Sequence, residues 1–372
     1  MPPQDLAELY LLSRSLWWRH ELGLLSDQAV SELIKVLRSA RAGIVAQIEA
    51  EAQGLASISE WTRERNDQIS AWIDEVFAGT SASVTSYISE ASVGVALASV
   101  ATYNSILSFD GKAKAVKLVE GLTREQVKQF FQDQPLGGKL LSDWVGNAFS
   151  TGARDSILDA IREGVVMGEG YRKLVKRVMT AADAGFSITQ REATTLVRTY
   201  VQSANTGAQE AVYEQNEGII KGYKRVETLD NRTCRICALA DGAVYGKNEK
   251  RPELPAHPNC RGVYVPILKT FREIGLNIDE LEEVARPWTI REQGPIGTGG
   301  RKILNFGTTK ENFGGWWESL SAEDKLKTSV GPVRGRLLQE GLVRWEDLSD
   351  KRTGLPYTLE QLGFDEQGNP LR

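Results

Sequence analysis

Sulfur and imidazole are scarce in this chain, whose 372 residues include three cysteines, three methionines and two histidines. Three cysteines cannot all pair within one chain, which argues against a disulfide framework and leaves a metal site or free thiols. Long apolar runs are missing too. The most membrane-like stretch, VGVALASVA at 93–101, is nine residues long, against the roughly 20 that a bilayer-spanning helix needs, and it reads as part of a buried helix. No N-terminal segment has the order of a secretory signal, because MPPQDLAELYLLSRSLWWRH breaks its apolar run with Asp5, Glu8, Arg14 and Arg19. The expectation is a product that stays in the cytosol where it is made. Nor is there an excess of positive charge. A formal net charge of -4 argues against a surface built throughout to coat nucleic acid or an anionic membrane, and confines any such contact to a local patch.

What is present is enough to fold. With 41% hydrophobic residues, 25% charged residues and nine tryptophans, the chain can bury real cores, and its length suits two or three domains. Residues 1–186 read as mostly helical. Val30, Leu33, Ile34, Leu37, Ile44 and Ile48 form one helical stripe between a cap at Ser26 and a stop at Gly54. A capping box at Ser57–Glu60 opens a second helix that turns Trp61, Ile69, Trp72, Ile73, Val76 and Phe77 inward. Breaks at SFDGK (108–112) and QPLGGK (134–139) precede further helical segments around 142–163 and 169–180. A long helix is expected to begin at Ser187, where SITQ fits a capping box, and to stop near Gly218. IIKGYKRVETL (219–229) and RGVYVPIL (261–268) are rich in β-branched and aromatic residues and read as strands. A short helix at 271–284 and a flexible Gly-rich connection, QGPIGTGGRK, lead to a tail of short helices and turns. The fold class is therefore α+β and mostly helical, with an N-terminal region of long helices (1–186), a small metal-stapled core (187–269) and a linker with an irregular C-terminal tail (270–372).

All three cysteines and one histidine fall between the two strands, as Cys234-x2-Cys237, a 19-residue loop (238–256), and His257-x2-Cys260. This is a Cys3His zinc pattern, in which each x2 turn aims two side chains at one point and four protein ligands leave no vacant position. A structural Zn2+ stapling the two strands follows. Free buried cysteines and a Cys234–Cys237 redox pair are the competing readings. Asp230, Asp241, Glu249 and Glu253 lie near the cluster and are read as solvated rather than catalytic. His20, the one other histidine, sits in LWWRHEL as an ordinary helical residue, so no histidine base is spare for a nuclease.

RTYVQSANTG (198–207), ETLDNRTCRIC (227–237) and PAHPNCRG (255–262) together resemble the phage head morphogenesis family typified by the F protein of phage Mu, over roughly 187–268. Gly262 departs from it, since many members carry a second cysteine after the arginine. The resemblance implies a minor capsid protein of the virion, associated with the portal vertex and with a part in packaging, assembly or genome delivery. Its partners would be the portal or other head proteins. Residues 224–272 hold ten Lys and Arg against five Asp and Glu, so Arg232, Arg235, Lys247, Lys250, Arg251 and Arg261 are candidate contacts to DNA phosphate or an acidic portal surface. Arg198, Arg232 and Arg261 are expected first in local salt bridges. A metal-dependent nuclease or hydrolase and a DNA-binding packaging module are the alternatives.

Overall fold

The computed structural model describes residues 3–53, 63–108, 116–120, 123–133, 139–149, 153–167, 169, 171–269, 285–291, 303–350 and 352–371. The capping box at 57–60 with Trp61, the helix at 271–284 and QGPIGTGGRK lie outside the described residues. The chain divides into two compact units, one made of Met1–Leu22, Ala98–Gly121 and Asn205–Arg372, the other of Gly23–Leu97 and Leu122–Ala204. Helices α1 (Pro3–Gln53), α2 (Arg63–Ser108) and α6 (Tyr171–Gln215) each lend a stretch to both.

The second unit is helical, with α3 (Arg124–Asp133), α4 (Leu141–Phe149) and α5 (Asp155–Val166) beside the long helices. The α1 stripe is buried at Val30, Leu33, Leu37, Ile44 and Ile48, and α2 buries Ile69, Ile73, Phe77, Val84 and Ile88. Phe77 packs against Phe149 and Phe186, with ring centroids 6.0 and 5.8 Å apart. Two helix boundaries differ from the sequence expectation. Ser26 lies inside α1, and Ser187 lies inside α6, which begins at Tyr171. A capping box acts only where the preceding chain leaves the helix. Here Leu174, Val178, Ala182 and Phe186 carry a buried i, i+4 stripe straight into Ala193 and Val197, so packing continues the helix across the cap. Asp67–Ser108 is long and apolar enough to cross a membrane, but half of its apolar window is buried inside the protein, as in a core helix.

The first unit holds the α+β part. Strands β1 (Ile220–Val226), β3 (Val244–Gly246) and β4 (Val263–Leu268) form an antiparallel sheet in the order β3-β1-β4. Tyr223 faces Tyr245 on one side and Pro266 on the other. Central β1 is buried on both faces, which its β-branched and aromatic residues tolerate. The C-terminal end of α6 is tied to this sheet by Tyr213, whose hydroxyl donates to the Tyr264 carbonyl at 3.2 Å.

A second sheet, β2-β5-β6, pairs β2 (Leu229–Asp230) with β5 (Arg286–Arg291) in parallel and β5 with β6 (Ile303–Thr309) antiparallel. It packs with α7 (Arg235–Ala240) and α8 (Phe313–Ser319) around Leu229, Ala238, Ile290, Phe313, Trp316, Trp317, Leu320 and Val330. Helices α9 (Ala322–Leu326) and α10 (Pro332–Gln339) follow. The fold is α+β and mostly helical, and the stretch read as an irregular tail carries, in addition, two strands and an aromatic core.

Candidate metal centre

The first knuckle is built on Asp230. Its Oδ1 accepts from the Arg232 backbone N–H at 3.1 Å and from the Thr233 hydroxyl at 3.0 Å, closing the turn after β2. The Asn231 side chain continues the sheet, donating to the Arg291 carbonyl at 2.7 Å and accepting from the Arg291 N–H at 3.1 Å. The chain is thus aimed so that Cys234 becomes the N-cap of α7, its sulfur accepting from the Cys237 N–H at 3.5 Å. One helical turn brings Cys237 back to the same side. In the second knuckle the Cys260 N–H donates to the His257 carbonyl at 3.1 Å, and Asn259 takes φ 60°. Asn tolerates that left-handed conformation better than other side chains do, which suits the third position of His-Pro-Asn-Cys.

These two turns bring the donors together. Cys234, Cys237 and His257 offer ligand atoms all within 4.8 Å of one another, close enough to hold a metal ion. Nε2 of His257 is 3.0 Å from Cys234 Sγ and 3.1 Å from Cys237 Sγ. Cys260, also buried, touches the trio through Cys237, with the sulfurs 3.8 Å apart. Two thiolates on a tetrahedral zinc stand about 3.8 Å apart and a sulfur–nitrogen pair about 3.5 Å, so the sulfur pair already has shell spacing while the imidazole sits at hydrogen-bond spacing. Nδ1 of His257 lies 2.8 Å from the Pro258 carbonyl. A carbonyl only accepts, so Nδ1 carries the proton and Nε2 is the ligand atom.

The protonation of the donors follows from their contact. Hydrogen bonding to Cys237 pulls the Cys234 thiol down to about 4 and Cys260 down to about 5. The same contacts, with burial, push Cys237 up. His257 rises to about 9, first through its bond to Cys234. Anionic sulfur is therefore gathered at one point, and a divalent cation held there would replace the shared protons. Behind the cluster lies fully buried Arg225, which donates through Nη2 to Cys237 Sγ at 3.6 Å and through Nε to Glu227 at 2.8 Å. Burial pushes Glu227 up to about 7, with Arg225 pulling against it and the Cys260 sulfur adding to it. A β-carbon at Gly262 would collide with this carboxylate, which is why a side chain does not fit at that position here.

The neighbouring acids divide. Asp230 and Asp241 are buried rather than solvated, which corrects the expectation for both. Asp230 takes a bidentate grip from Arg261 at 2.8 and 2.7 Å. Asp241 accepts from the Glu227 and Phe313 backbone N–H groups, both at 2.7 Å, and from both Nη atoms of Arg286. Asp241 has two fixed donors on each oxygen and no capacity left to activate a water, while Asp230 takes three donors on Oδ1 and one on Oδ2, all of them structural. Glu249 accepts from the Gly246 N–H at 2.9 Å, and Glu253 is exposed.

The six basic candidates divide as well. Arg261 is held by Asp230. Arg251 pairs with Glu210 and stacks on Tyr223 and Tyr264 at 3.6 and 4.7 Å. Arg235 donates to the Ser329 carbonyl at 3.2 Å. Lys247 pairs with Glu217 at 3.1 Å, while Arg232 and Lys250 are exposed. Arg198 pairs with Asp27 at 2.9 Å, and His20 is exposed on α1. Sequence reasoning missed Arg225, Glu227 and Arg286, because no spacing signals a partner 45 residues away, as Arg286 is from Asp241.

Residues 155–265 match the family described as Phage Mu protein F like protein. The match runs from the start of α5, through α6 and both knuckles, into β4. It suggests a phage head morphogenesis protein that associates with the capsid and has other head proteins as partners. The family is a structural or morphogenesis family, not a known enzyme family. No curated protein and no solved structure matches the chain.

Proposed function

We propose that the chain is a minor capsid protein of a tailed phage that acts at the portal vertex, made in the host cytoplasm and carried in the virion, with a part in packaging or genome delivery. The observation that carries this reading is the family match over the segment that contains both knuckles. The engagement of Asp230 by Arg261 and of Asp241 by Arg286 supports a structural role for the cluster. In this reading Cys234, Cys237, His257 and Cys260 hold one Zn2+ that staples β2–α7 to the start of β4, and Arg225 steadies the Cys237 thiolate by donating to it. Co-expression with the portal protein of the same phage tests the assignment. The chain should co-purify with portal and appear in purified particles at low copy relative to the major capsid protein; its absence from both would overturn the reading.

A DNA contact in packaging remains a secondary role, favoured by the exposure of Arg232, Lys247 and Lys250. Such binding must weaken between low and moderate salt, because phosphate contacts release counterions. Binding insensitive to salt would count against it. Incubation with DNA and divalent metal tests the nuclease alternative, with no cleavage expected.

A further inference from the structure

We propose that the chain pairs with a second copy of itself through the exposed face of α1, the two helices lying antiparallel and each setting leucines into a groove of the other copy. The contact lies within the helical unit. There α1 and α2 flank an open groove of about 490 Å3, whose walls include Val36 and Gly43 from α1 and Trp72, Val76, Gly79 and Ser83 from α2. The hydroxyls of Thr80 and Ser83 turn back onto their own helix, donating to the Val76 carbonyl at 2.7 Å and the Gly79 carbonyl at 2.9 Å, which leaves the walls apolar. At Gly43 and Gly79 they are also hollow, since a β-carbon at either position would meet nothing within 4 Å.

About five turns towards the N-terminus, α1 exposes Leu24 and Leu25, at 52% and 39%. Leu25, Glu32, Val36, Ser39 and Gly43 recur at steps of three, four or seven residues, so one face of the helix holds them all. Large exposed side chains thus stand at one end of that face and a hollow at the other. A two-fold axis brings each onto the other, because an isologous contact that sends residue i of one copy to residue j of the second also sends j to i. Centred between Leu33 and Ile34, an antiparallel crossing puts Leu25 opposite Gly43 of the second copy, Leu24 opposite its Ala42 and Gln28 opposite its Ser39. The charges agree with the same register. Glu32 and Lys35, an exposed pair 2.6 Å apart within one chain, flank the axis, so each Glu32 meets Lys35 of the other copy. A parallel pairing would set Glu32 against Glu32 and leave the groove without the leucines. A helix of unrelated sequence has to match leucine, acid and base at these spacings, whereas a second copy matches them by symmetry. The pairing uses neither the metal nor the portal reading and stands without them.

Sedimentation equilibrium of the full-length chain should show a monomer–dimer equilibrium with Kd below about 100 µM. Gly43→Leu fills the hollow from within its own chain, where open space receives the new side chain, and should weaken dimerisation about tenfold or more. Glu32→Lys and, separately, Lys35→Glu set like charges across the axis and should each dimerise less than the wild type, while an equimolar mixture of the two should recover a heterodimer. Loss of folding cannot mimic that recovery, and circular dichroism with thermal melts of the same samples reports whether the helices persist. A wild type that stays monomeric at about 100 µM, a dimer unmoved by Gly43→Leu, or charge variants that pair as well alone as mixed would overturn the proposal. A monomer whose groove is filled by a different head protein would overturn it too.

Discussion

The two compact units bury their chains by different means. In the unit of residues 23–97 and 122–204, the interior is mostly aliphatic and aromatic, and no ion pair among the described residues has both partners buried, Arg177 with Glu169 coming nearest at 29% and 8% exposure. Arg154 with Asp74 (34% and 48% exposed) and Arg41 with Asp183 lie further out. The unit that carries the knuckles has exposed pairs too, such as Arg344 with Glu346, but it also holds pairs with both partners inside: Arg225 with Glu227 at 0% and 1% exposure, and Arg286 with Asp241 at 8% and 0%. Apolar stripes need only the right period to pack. Buried ion pairs need every partner in place, because a charge left unpaired in the interior is costly. The knuckle unit is therefore the more specific of the two and the more easily broken.

Metal-ligand substitution should produce the largest effect. Cys260→Ala is expected to lower stability by several kcal/mol, on the scale of the ~10–16 kcal/mol that structural zinc supplies in small domains. Elemental analysis should find one zinc per chain in the wild type and less in the variant, and an unchanged zinc content would dissociate Cys260 from the centre. Asp241→Ala comes next, at about 3–5 kcal/mol by urea unfolding, since it strands the Arg286 charge and the Phe313 N–H in the interior. Asp230→Asn should cost about 2–3 kcal/mol near neutral pH. Burial raises the Asp230 carboxyl, but Arg261 and the hydroxyl of Thr233 outweigh it and hold the group below its ordinary range. A depressed acid stabilises the fold above its unfolded value of about 3.9 and loses that contribution as pH falls through the folded value. The gap between wild type and Asp230→Asn should accordingly narrow below about pH 4, and a gap independent of pH would show that the Arg261 pair is not its source. Arg154→Ala, in the other unit, should change stability by under about 1 kcal/mol. A loss as large as that of Asp241→Ala would erase the contrast between the units.

Much of this was legible in the residues. The stripe from Val30 to Ile48, the strands around Tyr223 and Val263 and the paired spacing of Cys234, Cys237, His257 and Cys260 all appear as local periodicity or short motifs. β5 and β6 did not. RPWTIR and ILNFGTT are short and flanked by polar or Gly-rich sequence, and they become strands because Leu229 and Asp230 give β5 a partner to pair with. Asp241 shows the same limit. In sequence it is an acid in a loop beside Gly242, and its burial follows only from the arrival of Arg286 and Phe313, the latter 72 residues away.

The sequence alone pointed to Cys234, Cys237 and His257 as side chains close enough to hold a metal, because x2 spacing in a turn sets donor separation within a few bonds. It also signalled that long helices are present, since an apolar stripe of the helical period needs no distant information, but not where α1 and α6 begin. The tertiary structure decided which charges are structural and which are available. Desolvation and ion pairing depend on what else reaches the same point in space, and that is how Arg261 came to be locked on Asp230 while Arg232 and Lys250 stay exposed.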